Sequence, residues 1–143
     1  MKDVLIVCYG MGCGGAEKSL ISFLNRLPKD RWNVDLIVAN PNGMYMKQIP
    51  STVHFLNNQY ELENFATPMS LRRKKVCNAR DLINQASWQI KSRFLCKNLS
   101  WNEKRWELWG KHLPKLKKRY DLAISYMNGP TNYYVIDKVT AKK

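Results

Sequence analysis

Residues 3–27, DVLIVCYGMGCGGAEKSLISFLNRL, carry the pattern from which the fold is read. The first seven form an apolar, β-branched run that ends at Gly10. A run apolar at successive rather than alternate positions predicts a parallel strand covered on both faces. Residues 10–15 hold Gly10, Gly12, Gly14 and Gly15 and predict a tight turn. Over residues 16–27, Ala16, Leu20, Phe23, Leu24 and Leu27 recur at helical spacing, and Pro28 stops the helix.

The pattern continues outward. Residues 33–39 (NVDLIVA) predict a second strand, closed by the turn residues Asn40, Pro41, Asn42 and Gly43. Residues 52–56 (TVHFL) predict a short third strand and residues 57–70 a polar loop. Residues 72–99 carry a helical stripe of Val76, Ala79, Ile83, Ala86, Ile90 and Phe94; residues 101–113 carry another of Trp101, Leu108, Trp109 and Leu113. Residues 120–126 (YDLAISY) return to strand character, Asn128, Gly129 and Pro130 form a sharp turn, and residues 131–139 follow as a helix. A strand, glycine turn, helix and strand in that order open a doubly wound α/β fold: Rossmann-like, with a mostly parallel sheet and helices on both faces. Right-handed crossover packs helix 16–27 back onto one face.

The chain has 143 residues, the length of one domain, and its 45% hydrophobic and 24% charged content is that of a globular protein. The apolar run at residues 4–9 is too short for a signal peptide, and no stretch approaches the ~20 apolar residues of a membrane span. A cytoplasmic location is expected. Cys8, Cys13, Cys77 and Cys96 form no ligand-like spacing with His54 or His112, so reduced thiols and no metal site are expected.

Charge is unevenly placed. Of 24 basic and 11 acidic residues, fifteen basic but only three acidic ones fall between residues 72 and 119, together with Trp88, Trp101, Trp106 and Trp109. This segment reads as a basic, tryptophan-rich helical insertion with an anionic neighbour. Arg72, Arg73, Lys74 and Lys75 open it; Lys115, Lys117, Lys118 and Arg119 close it. Three readings stand: an anionic membrane surface with tryptophans near the headgroups, a nucleic acid stacking on the same rings, or solvated helix faces over buried tryptophans.

Gly10-x-Gly12-x-x-Gly15 matches the form of a dinucleotide fingerprint. A nicotinamide site also wants an acid at the end of the second strand, where Ala39 and Asn40 stand; Asp35 comes too early. Glycines let a bulky group approach the backbone, and the free N–H groups of the following helix favour a phosphate there. The alternative is a turn that only joins strand to helix.

The stretch Gly14-Gly15-Ala16-Glu17, placed directly after a first strand, resembles the opening of the retaining glycosyltransferases of family 4, the type that builds bacterial surface polysaccharides. Residues 33–43 (NVDLIVANPNG) and 120–134 (YDLAISYMNGPTNYY) are similar to that family's second and pre-acceptor strands. The resemblance covers residues 1–56 and 119–139. It implies two facing Rossmann-like domains, of which this chain is the N-terminal, acceptor-holding half. Gly12, Gly14 and Gly15 would contact the pyrophosphate of a nucleotide-sugar donor, and Glu17, Asn128, Gly129 and Thr131 would line the cleft. Retaining transfer then needs charge neutralised on the departing nucleotide diphosphate, for which backbone N–H donors suit. The resemblance implies no metal and no cofactor beyond the nucleotide-sugar substrate, with a glycan or lipid-linked acceptor as partner. A peripheral position on the inner face of the membrane agrees with this.

The family's paired-glutamate motif belongs to a C-terminal donor domain, and no such motif follows here; His54 and His112 do not match its cleft histidine. The expectation is therefore a half-enzyme, inactive alone, with no nucleophile assigned. A polyanion- or partner-binding α/β module and a dinucleotide-dependent oxidoreductase are the alternatives.

Overall fold

Side-chain alternation along β1 (Lys2–Gly10) divides the core into two layers, one on each side of a parallel sheet. The computed structural model describes residues 1–56, 100, 103, 106, 107, 110, 113 and 115–143. After β1 come α1 (Gly15–Arg26), β2 (Trp32–Asn40), a 3-10 turn (Met44–Gln48) and β3 (His54–Phe55). β4 (Arg119–Tyr120), β5 (Leu122–Tyr126), α2 (Pro130–Lys138) and β6 (Thr140–Ala141) complete the described elements.

The sheet order is β3-β2-β1-β5, with every pairing parallel. The fold is therefore α/β, a mostly parallel sheet flanked by helices, consistent with a Rossmann-like fold. β1 is the switch point: growth of the sheet runs one way through β2 and β3 and the other way through β5. β4 pairs in parallel with β6, and the Ala123 N–H donates to the Lys143 carbonyl at 2.9 Å, so the chain after α2 runs on along β5.

Val4, Ile6 and Cys8 of β1 join Val34, Leu36 and Val38 of β2 under α1. Leu5 and Val7 join Ile37 and Ala39 on the other face, with Tyr134 of α2 and Trp106. The buried residues of α1 are Leu20, Ile21 and Leu24. Ala16 is exposed and Phe23 is 39% exposed, which corrects the expected face: Ile21, not Phe23, joins Leu20 and Leu24 against the sheet, at positions i, i+1 and i+4.

Three further readings change. The strand predicted at 120–126 is divided at Asp121, whose N–H donates to the Asp3 carbonyl while its carboxylate accepts the Asp3 N–H. Residues 52–56 contribute only His54–Phe55 to the sheet. Trp106, outside the stripe predicted for 101–113, is 3% exposed; its ring lies on Gly110, where any side chain would collide, stacks on Tyr133 at 5.9 Å, and donates Nε1–H to Asp137 at 2.7 Å. The helix predicted at 72–99 lies outside the described residues.

At the amino-terminal ends of the strands sits a buried carboxylate. Asp35 is 2% exposed and accepts from Tyr120 OH (2.8 Å), Lys118 Nζ (3.0 Å) and His54 Nδ1 (3.0 Å). Lys118 also reaches Asp3 Oδ1 at 2.8 Å. No helix among the described residues is long and apolar enough to cross a membrane.

Candidate functional site: the crevice at the carboxyl ends of β1 and β5

In open α/β sheets the strands on either side of a switch point send their helices to opposite faces, and a crevice opens at their carboxyl ends. Here β1 leads to α1 on one face and β5 to α2 on the other. The turns at residues 11–14 and 127–129 therefore stand side by side, at the place where such a gap forms in these sheets. Tyr126, at the end of β5, donates its hydroxyl to Ser19 of α1 at 3.0 Å and closes the α1 side.

The glycine turn is anchored from beneath and open above. Met11 is fully buried, and its carbonyl accepts the Tyr45 N–H at 3.2 Å. Gly43, at φ +153°, passes so close that a Cβ there would collide with the Met11 carbonyl and come within 2.9 Å of the Gly12 nitrogen. Only glycine fits. Gly12 is half-buried, whereas Cys13, Gly14 and Gly15 are exposed, and a Cβ on Gly15 would meet nothing within 4 Å. Gly14 caps α1 with no side-chain hydrogen bond, so the first N–H groups of this twelve-residue helix keep free donor capacity. Glu17 sits in that first turn, its carboxylate against Gly12 and Gly14.

Across the gap, Met127 holds φ +85°, a strained value for a side chain of its size, and Gly129 holds φ +157° with open space around it. Asn128 is exposed, and its Oδ1 accepts from Asn132 Nδ2 at 3.0 Å. Thr131 does not line the crevice. It is 1% exposed, and its hydroxyl is hydrogen-bonded to Ser125 Oγ at 2.9 Å, beneath the turn rather than on its rim. Ser125 also bonds Asn132 Oδ1 at 2.6 Å, which ties β5 to the start of α2.

The two cysteines near the turn differ. Burial, helped by the charge of Glu17, pushes the Cys8 thiol up to about 12, and its Sγ lies 3.9 Å from Met11 Sδ. Cys8 is a core thiol, not a nucleophile. Cys13 is exposed at the turn. No group of three or more His, Cys, Asp or Glu among the described residues is placed to hold a metal ion. The end of β2 carries Asn40, whose Oδ1 accepts from Asn42 Nδ2 at 2.8 Å; a ribose-binding acid has no counterpart there.

The basic patch is divided as well. Arg72, Arg73, Lys74 and Lys75 lie outside the described residues. Lys115, Lys117 and Arg119 are exposed, but Lys118 is held between Asp3 and Asp35 and lies over the Tyr120 ring at 5.1 Å. Burial alone would lower the Lys118 ammonium, yet its bonds to the two carboxylates hold it above the ordinary lysine value. It is a structural cation. Arg119 opens β4, so this patch lies at the amino ends of the strands, ~30 Å along a nine-residue strand from the glycine turn.

Two signals in the sequence went unread. An acid inside the apolar run NVDLIVA demands partners wherever the strand is buried, and Lys118 and Tyr120 supply them. Ser100 and Glu103 form a capping box, with the Ser100 N–H donating to Glu103 Oε2 at 2.7 Å and the Glu103 N–H to Ser100 Oγ at 3.4 Å. No family model matches the chain, and neither a curated protein nor a solved structure matches it.

Proposed function

We propose that this chain is the acceptor-side half of a retaining, sugar-nucleotide-dependent glycosyltransferase of the family 4 type, acting in surface-polysaccharide synthesis. The observation that carries the reading is the glycine turn: exposed, unshielded at Gly15 and set at the switch point of a parallel sheet. Amides of residues 12–15 would donate to a diphosphate as negative charge grows on it, and the α1 dipole favours that charge. Asn128 and Gly129, on the facing rim, would meet the sugar or the acceptor. A donor-binding partner domain would supply the remaining contacts, and no metal or redox cofactor is called for. Exposed Lys115, Lys117 and Arg119 add a contact with an anionic lipid surface, each contributing on the order of 1 kcal/mol there. The whole protein would then be cytoplasmic and peripheral on the membrane, with a glycan or lipid-linked acceptor.

The test is a titration of the chain with a panel of nucleoside-diphosphate sugars, followed through amide resonances. At least one member should shift Gly12, Gly14, Gly15 and Asn128 together. Gly15→Val, which has room for its side chain in the folded protein, should abolish that response and leave the other resonances in place. A panel that moves none of these amides removes the diphosphate role.

A further inference from the structure

The two ends of the sheet differ in charge. Parallel pairing gathers the starts of the strands at one end, where the corner between α1 and β2 exposes Arg26, Lys29 and Arg31, and exposed Lys2 opens β1. Lys115 and Lys117, exposed before β4, and Arg119 at its start bring these cations to seven. The same segments expose one acid, Asp30, which lies 4.0 Å from Arg31. Asp3 and Asp121 are held by Lys118 and Lys142, and Asp137, on the α2 flank, by the indole N–H of Trp106. At the opposite end, the turns at residues 10–15, 40–48 and 126–130 expose a single cation, Lys47. A groove of ≈ 230 Å³ opens at the α1–β2 corner, lined by Leu24, Leu27, Pro28, Trp32 and Val53, with Lys29 beside them. Met1, 80% exposed, borders it, and the Lys2 ammonium lies 5.7 Å from the centre of the Trp32 ring.

We infer that the amino-end face of the sheet docks on an anionic lipid bilayer, with the α1–β2 corner and its groove as the principal contact. Exposed charge of one sign draws the domain to negative headgroups. The groove and Met1 then offer apolar surface at the level where headgroups meet acyl chains, the level that tryptophan also favours. A nucleic acid would use the cations but not the groove, and its bases stack on open aromatic faces, whereas Trp32 is half-buried beside Lys2. Charge and apolar surface together therefore favour lipid. The inference rests on the lipid contact in the proposed function, which it extends from one loop to a whole end of the sheet, and not on the diphosphate seat. It also fixes an orientation: the strands stand on the bilayer, and the crevice at their carboxyl ends is held ~30 Å away from it.

The experiment sediments the chain with vesicles of phosphatidylcholine mixed with phosphatidylglycerol, and with vesicles of phosphatidylcholine alone. Wild type should bind the first and not the second. Lys29→Glu combined with Arg31→Glu, at the corner, should weaken binding about tenfold or more, since each cation at such a surface counts for about fivefold. Lys18→Glu combined with Lys47→Glu makes the same change in net charge on exposed residues toward the other end of the sheet, and should weaken it less than about twofold. Equal weakening by the two pairs, or anionic-vesicle binding untouched by the corner pair, overturns docking by this face and leaves the lipid contact itself standing. No binding to anionic vesicles overturns both. An oligonucleotide duplex bound through Lys29 and Arg31 in that case assigns the face to nucleic acid instead.

Discussion

Replacing Asp35 by alanine tests how the sheet is held together at its amino-terminal ends. The carboxylate is 2% exposed and has three donors, which do not suffer equally when it goes. Tyr120 is 3% exposed, and its hydroxyl is left in the core without its acceptor, a cost of about 1–3 kcal/mol. Lys118 keeps Asp3, and its side chain is 40% exposed, so it loses less. His54, 69% exposed, returns to water. With a discounted share for the partly exposed and still-paired Lys118, Asp35→Ala should lower stability by about 2–4 kcal/mol, most of it from the orphaned hydroxyl. Tyr120→Phe alone should cost about 1 kcal/mol. In the double variant no hydroxyl is orphaned, and about 1–2 kcal/mol of the summed loss should return. Urea unfolding at neutral pH, followed by tryptophan fluorescence and circular dichroism, measures each term. A loss below about 1 kcal/mol for Asp35→Ala, or strict additivity in the double variant, would refute the account.

The same carboxylate gives the pH dependence its sign. Burial alone would raise the Asp35 carboxyl, but hydrogen bonds from Tyr120, Lys118 and His54 outweigh it and hold the group below the ordinary carboxylate value. A depressed folded value means stability that is complete above the unfolded value of about 3.9 and is lost as pH falls through the folded one. Acid unfolding of the wild type should therefore be steeper below about pH 4 than that of Asp35→Asn.

Two further outcomes follow from the turn. Gly43→Ala should lower stability by about 1–3 kcal/mol, because its φ of +153° is strained for any side chain and the new Cβ meets the Met11 carbonyl; Gly15→Ala, in open space, should be neutral or slightly stabilising, and equal thermal denaturation midpoints for the two would contradict this. Iodoacetamide at pH 8, with modified peptides read by mass spectrometry, should label exposed Cys13 and spare buried Cys8 until denaturant is added; native labelling of Cys8 would show that its burial is wrong.

The fold was legible wherever local pattern and burial agree. The run at residues 4–9 is apolar on both faces because both faces are covered, and the glycines of residues 10–15 mark the bend that the crossover requires. What local pattern misses is set by distant partners. Phe23 has the spacing for the core, but the sheet surface under α1 meets Ile21 instead. The strand at 120–126 reads as continuous, yet Asp121 breaks it by exchanging hydrogen bonds with Asp3, 118 residues away. Lys118 reads as one more surface cation until Asp3 and Asp35 arrive from β1 and β2. For the candidate site, the glycines and Asn128 were readable as turn chemistry; Thr131 was not readable as buried, because its burial depends on Ser125 of the preceding strand.

One carboxylate also grips both shoulders of the long excursion between β3 and β4. His54 stands just before that excursion and Lys118 just after it, and both hold Asp35. The sheet's two flanks are thereby fastened to its middle by side chains at either end of that segment. His54 and Lys118 are therefore fixed points of this scaffold, together with Trp106 and Leu113, which the core takes from the chain between them.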